Sequence, residues 1–154
     1  MMTNKNIKPL RNILFLTLFF LVIIPWVYAE PPKNLVNQGY SVVSYFEKNK
    51  AEMGQAEFSV EYEGKLYWFA SADQVETFNS NTTRYLPIFD AFCPYSLTLG
   101  RQVPIDPTNF KIIADQLLLF HISDESNGLE EWNRSGNEEE LLHRARGAFL
   151  LLEF

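Results

Sequence analysis

From Phe58 to Tyr62 apolar and polar residues alternate with period two, as in a half-buried strand. Glu63-Gly64 is a turn dipeptide, and Lys65 to Ala70 supplies the return strand, so residues 58–70 predict a β-hairpin. Phe58, Val60 and Tyr62 share one face of the first strand. On the second, Leu66 and Trp68 share one face, Tyr67 and Phe69 the other. A second hairpin is expected from Lys111 to Ala114 and Leu117 to Ile122, turning at Asp115-Gln116. Helical spacing surrounds these strands. Tyr40, Val43 and Phe46 recur every third residue, predicting a short helical turn with one apolar side. Ser71 with Gln74 makes a capping-box pattern and predicts a helix over 72–78 that buries Val75 and Phe78.

Pro94 suits the first turn of a helix and Gly100 its stop, which predicts a short helix over 94–99. Residues 126–132 can form one or two helical turns. Ser135 with Glu138 repeats the capping-box pattern before a last helix over 136–152. Leu141, Leu142, Ala145, Phe149 and Leu152 line one side of it. Residues 47–57 and 103–110 read as loops. The expected fold class is α+β: a small antiparallel sheet from two β-hairpins, packed with short helices and a C-terminal helix.

The N-terminal pattern is different in kind. Lys5, Lys8 and Arg11 precede an uncharged run from Ile13 to Ile24, then Pro25 and Val27-Tyr28-Ala29. A basic region, a short apolar run and a small-residue ending read as an export signal over residues 1–29, cleaved after Ala29. The run falls short of the ~20 apolar residues that span a bilayer. An uncleaved anchor is the alternative, and would be the only membrane contact. Residues 30–38, with Pro31-Pro32, read as a linker and residues 39–154 as one domain with a C-terminal helical extension. The expected location is periplasmic or secreted.

Cleavage removes three of the 13 basic residues and none of the 19 acidic ones, so the net charge falls from −6 to −9. Such a balance repels phosphate backbones, so no nucleic-acid partner is expected. A protein partner is not identified. One cysteine cannot make an internal disulfide, and stability must come from packing.

That cysteine, Cys93, sits in the aromatic stretch Tyr85 to Gly100, at the start of the expected short helix. It is the candidate metal contact, and the helix start also suits a reactive thiolate. Inert packing is the default reading of such a residue, because a free cysteine behaves as a small hydrophobe. Tyr45, Tyr67, Tyr85, Asp90 and Tyr95 are the candidates for a binding pocket beside it. His121 reads as a strand-end residue and His143 as exposed on the last helix. No HxxxH or CxxC spacing occurs, and no nucleophile–base pair or paired carboxylates can be named, so no catalytic residue is assigned.

Gly39-Tyr-Ser-Val-Val-Ser-Tyr-Phe46, Phe58-Ser-Val-Glu-Tyr-Glu-Gly64, Tyr67-Trp-Phe-Ala-Ser-Ala72, Tyr85-Leu-Pro87 and Phe92-Cys93 together resemble the exported YHS-domain proteins. The likeness continues through Leu97 to Gly100, Asp106-Pro107, Lys111 to Ile113, Leu117 to Phe120, Glu131-Trp132 and Arg144-Ala145. It implies a small α+β domain and a role around heavy metals, copper especially. The paired cysteines of some relatives correspond to Ser44 and Ala70, which offer no soft ligand for copper(I). A Gly-Gly-aromatic-Cys-Ala run in others corresponds to Asp90-Ala-Phe-Cys-Pro94. The function expected is therefore a non-catalytic exported binding module, associated with copper or zinc. The alternatives are a thiol-redox protein acting through Cys93, or a structural domain that has lost the metal site.

Overall fold

Strands β1 (Gln55–Tyr62) and β2 (Lys65–Phe69) pair antiparallel in the computed structural model, which describes residues 30–152. The expected export signal lies outside the described residues. Glu63 and Gly64 both have left-handed φ, +51° and +73°, as a two-residue type I′ connection requires. Val60 opposes Tyr67, and Tyr67 and Phe69 form the buried face. A bulge between Gln55 and Ser59 lets β1 begin earlier than the alternation from Phe58 predicts.

The second hairpin joins β3 (Asp106–Ile113) to β4 (Gln116–Phe120). Two expectations are corrected here. The turn is Ala114-Asp115, with φ +48° and +61°, rather than Asp115-Gln116. The strand also extends back through 106–110, expected as a loop, because a bulge between Asp106 and Phe110 takes up the irregularity around Pro107. The hairpins form two separate two-stranded sheets rather than one. The α+β class stands.

Six α-helices surround them among the described residues: α1 (Val42–Lys48), α2 (Ala72–Ser80), α3 (Thr82–Tyr85), α4 (Pro94–Thr98), α5 (Gly128–Arg134) and α6 (Glu138–Leu150). Helix α4 starts on Pro94 and ends before Gly100, φ +68°, as expected. The cap of α6 is Asn137, whose Oδ1 accepts from the Glu140 amide at 3.1 Å, not Ser135. Ser135 closes α5 instead, donating to the Glu131 carbonyl. Leu141, Leu142 and Ala145 are buried, Phe149 packs edge-on against Phe89, and Leu152 is exposed. No helix among the described residues is long and apolar enough to cross a membrane.

The core has two clusters. One gathers Leu117 to Phe120 of β4 with Trp132, Leu97, Cys93, Tyr45 and the buried face of α6. The other gathers Val42, Val43, Tyr67, Phe69, Phe78 and Tyr85. Helix α1 is the seam, since it gives Tyr45 to the first cluster and its two valines to the second.

Residues 30–38, expected as a linker, are docked from Asn34 onward. The Leu66 amide donates to the Asn34 carbonyl at 2.9 Å, and Leu35 bridges to Leu66 in parallel. Asn34 Nδ2 donates to the Gly64 carbonyl. The chain then turns through three consecutive left-handed residues, Asn37, Gln38 and Gly39, with φ +54°, +52° and +87°. Glycine is needed at the last, since a Cβ there would also lie 3.0 Å from the Trp68 ring.

Candidate binding site

Cys93 caps α4 through its backbone, and its side chain is fully buried. A Cβ on Gly128, at the start of α5, would stand 2.7 Å from Sγ, so glycine backbone seals the sulfur from outside. Among the described residues no three His, Cys, Asp or Glu side chains gather to hold a metal ion. His121, half-buried, lines a neighbouring cleft of about 280 Å³ with Tyr95 and Glu131, and Gly128 stands between that cleft and the thiol. His143 is exposed on α6.

The four tyrosine candidates divide between the two core clusters, and only Tyr45 and Tyr95 share that of Cys93. Tyr67 and Tyr85 belong to the second core cluster, Tyr45 to the first, and Tyr95 lines the His121 cleft. Each ring is placed by packing: Tyr85 meets Phe46 edge-on at 5.3 Å, and Tyr67 lies 5.1 Å from Phe78. Asp90 is exposed, with a left-handed φ of +48°, and pairs with Lys65 at 2.7 Å.

Ser44 and Ala70, distant in sequence, meet at one side chain. Gln74 Nε2 donates to Ser44 Oγ at 2.8 Å, while its Oε1 accepts from the Ala70 amide at 3.0 Å and from Ser41 Oγ at 2.7 Å. Only half of the expected capping box forms, since Ser71 Oγ accepts from the Gln74 amide but the Gln74 side chain goes elsewhere. Ser44 Oγ also donates to Glu52, whose carboxyl is held below the usual range by Lys48 first and Ser44 second. This cluster is internally satisfied.

Asp90 leads to a different place. A cleft of about 290 Å³ lies where Lys33–Asn37, Lys65, Asp90-Ala91 and Ile105 meet. Leu35, Val36, Ala91 and Ile105 supply apolar walls, and Lys33, Lys65 and Asp90 supply charge. Asn37 is buried there. Its Nδ2 donates to Tyr45 Oη at 2.9 Å and to the Tyr40 carbonyl, and Tyr45 Oη donates to the Pro107 carbonyl at 2.8 Å. Its Oδ1 is the one buried side-chain polar atom among the described residues with no protein hydrogen-bond partner. Such an acceptor costs about 1–3 kcal/mol when left unmet.

Of the pocket candidates Asp90 alone lines this cleft. Tyr45 reaches it only through its hydrogen bond with Asn37, and burial first, with the Asp90 charge second, pushes the Tyr67 hydroxyl up to about 12. Burial likewise raises Tyr45 above the ordinary tyrosine range, against the lowering effect of the Asn37 hydrogen bond. Lys33, Asn34 and Asn37 were hidden by the linker reading. Asn37-Gln38-Gly39 was the available signal, since asparagine and glycine tolerate left-handed backbone better than other residues.

A larger depression of about 380 Å³ lies between Asn81 to Ile88 and the β3–β4 turn. It is lined mainly by polar side chains and carries the exposed Arg84–Asp115 pair. Ligand sites are characteristically apolar with a few placed polar groups, which favours the smaller cleft. Comparison with protein-family models, with curated proteins and with solved structures found no match to this chain.

Proposed function

We propose that this chain is an exported, non-catalytic binding module of the YHS-like kind, and that its ligand site is the cleft between the docked arm and Asp90-Ala91. The observation that carries the reading is the cleft itself: apolar walls from Leu35, Val36, Ala91 and Ile105 with a few polar groups, Lys33, Lys65 and Asp90, beside them. Two further features support the resemblance. Ser44 and Ala70, the positions of the relatives' cysteine pair, both bond to Gln74. Asp90, where the relatives carry glycine, keeps a left-handed φ. The ligand in this reading is a small molecule, because a copper or zinc ion held through Cys93 would first have to displace Gly128 from the thiol.

The test is a fragment screen by ligand-observed NMR on the chain from Glu30 onward, in which the residues from Pro31 on form one compact unit. Ala91→Trp, at an exposed cleft position, fills the site. Fragments that bind the wild type and lose binding in Ala91→Trp support the reading. Hits unaffected by that change, or saturable copper binding lost in Cys93→Ser, overturn it.

A further inference from the structure

The edges of the two hairpins are not treated alike. The arm covers the outer edge of β2 through Leu35 and the Leu66 amide, and Pro87-Ile88 covers that of β4, where the Ile88 amide donates to the Leu117 carbonyl at 3.1 Å. Strand β3 is tied to α5, with Lys111 Nζ donating to Asn133 Oδ1 at 2.9 Å. Strand β1 has β2 on one side and no backbone partner on the other among the described residues. Tyr62 and Lys65 close a two-residue turn, so the alternation of an antiparallel ladder points the N–H and C=O of Ser59 and Glu61 away from β2. Leu66, opposite Glu61, fixes the phase independently, since its amide points away from β1 to the Asn34 carbonyl. Ser59 and Glu61 thus each offer a donor and an acceptor to an added strand.

The side chains along this edge select what is added. Glu57, Ser59 and Glu61 are exposed on one face, and neither glutamate enters an ion pair among the described residues. Phe58, Val60 and Tyr62 lie on the other face, only partly buried, at the rim of the second core cluster. A second copy of this chain fits badly. Antiparallel pairing centred on Ser59 sets Glu61 of each copy against Glu57 of the other, and pairing centred on Glu61 sets that residue against itself. A strand with Lys or Arg opposite the glutamates and apolar residues between them meets both faces.

We propose that β1 is the docking edge for an extended segment of another protein with alternating basic and apolar residues, added antiparallel as a third strand. Main-chain bonds at Ser59 and Glu61 hold the segment, and Glu57 and Glu61 select its charge. None of these residues lines the arm cleft.

The test titrates the chain from Glu30 onward with acetyl-Thr-Lys-Val-Thr-Val-Lys-Thr-amide and follows amide chemical shifts. With its central Thr opposite Ser59, this peptide sets its lysines opposite Glu57 and Glu61. The expected result is saturable shifts centred on Ser59 and Glu61, with about tenfold weaker binding when both lysines are replaced by glutamate. N-methylation of the central Thr and the lysines, whose amides face the edge, should abolish binding, and N-methylation of the valines, whose amides face solvent, should preserve it. Glu57→Lys combined with Glu61→Lys, both on exposed side chains, should reverse the preference between the two peptides. No binding, equal binding of the two peptides, indifference to which amides are methylated, or shifts away from β1 each overturn the docking edge. A dimer of the peptide-free chain paired through β1, read by sedimentation and amide shifts, overturns the choice of occupant.

Discussion

Gly128 packs so closely over Cys93 that a Cβ on the glycine would lie 2.7 Å from the sulfur. The central thiol is therefore held in the core by a residue of another helix. Gly128→Ala should destabilise the protein by about 1–3 kcal/mol through overpacking. Cys93→Ala in the same chain should recover part of that loss, because the two atoms compete for one space. Urea denaturation of both singles and the double checks this, and simple additivity would show that the contact is not the cause.

Burial also sets the reactivity of this thiol. Cys93 should react with a bulky aromatic disulfide slowly in the native state and rapidly in denaturant, since its side chain is wholly buried. Equal rates in the two conditions would favour the thiol-redox reading.

Gln74 joins α2 to α1 and to the end of β2 through three side-chain hydrogen bonds. Gln74→Ala strands the Ala70 amide and the Ser41 hydroxyl, while Ser44 keeps Glu52, at a cost of about 2–4 kcal/mol. Ser71→Ala removes only a helix cap and should cost about 1 kcal/mol. Equal losses, measured by thermal or urea unfolding, would reduce Gln74 to a local capping residue.

Tyr45 and Tyr67 should destabilise the fold in alkali. Both have folded-state pKa values raised above the ordinary tyrosine value of about 10. The unfolded chain therefore loses these protons first. Their contribution to stability is complete below about pH 10 and is lost as pH rises, for Tyr67 through about 12. Tyr67→Phe should flatten the fall in stability between pH 10 and 12, followed by unfolding against pH with phenolate absorbance as a second readout.

Glu63 occupies a left-handed turn position, φ +51°, that asparagine tolerates better. Glu63→Asn should stabilise the chain by about 0.5–1 kcal/mol. A neutral or negative change in melting temperature would show that Glu63 makes compensating contacts.

The parts of this fold legible in the sequence are those whose cause is local. Alternation from Phe58 to Phe69 with Glu63-Gly64 between specifies the first hairpin, and Pro94 with Gly100 brackets α4. Where several local signals compete, position slips: Asn137 displaces Ser135 as the cap of α6, and Ala114 takes a left-handed φ that its residue type does not announce. Tertiary uses are hidden. Gln74 matches a capping box but spends its side chain on Ser41, Ser44 and Ala70. Asn34 and Asn37 sit in a polar, proline-led stretch, and only the folded hairpin supplies the edge on which that stretch docks. Of the expected site, Asp90 lines the cleft, whereas Tyr45, Tyr67, Tyr85 and Tyr95 are placed by packing in or against the two core clusters.

The arm cleft is tested most directly by amide chemical-shift mapping of the chain from Glu30 onward with its tightest-binding fragment. The account predicts saturable shifts grouped at Asn34 to Asn37, Lys65, Ala91 and Ile105, all lost in Ala91→Trp. Shifts confined to the Tyr95–His121–Gly128 cleft would contradict it.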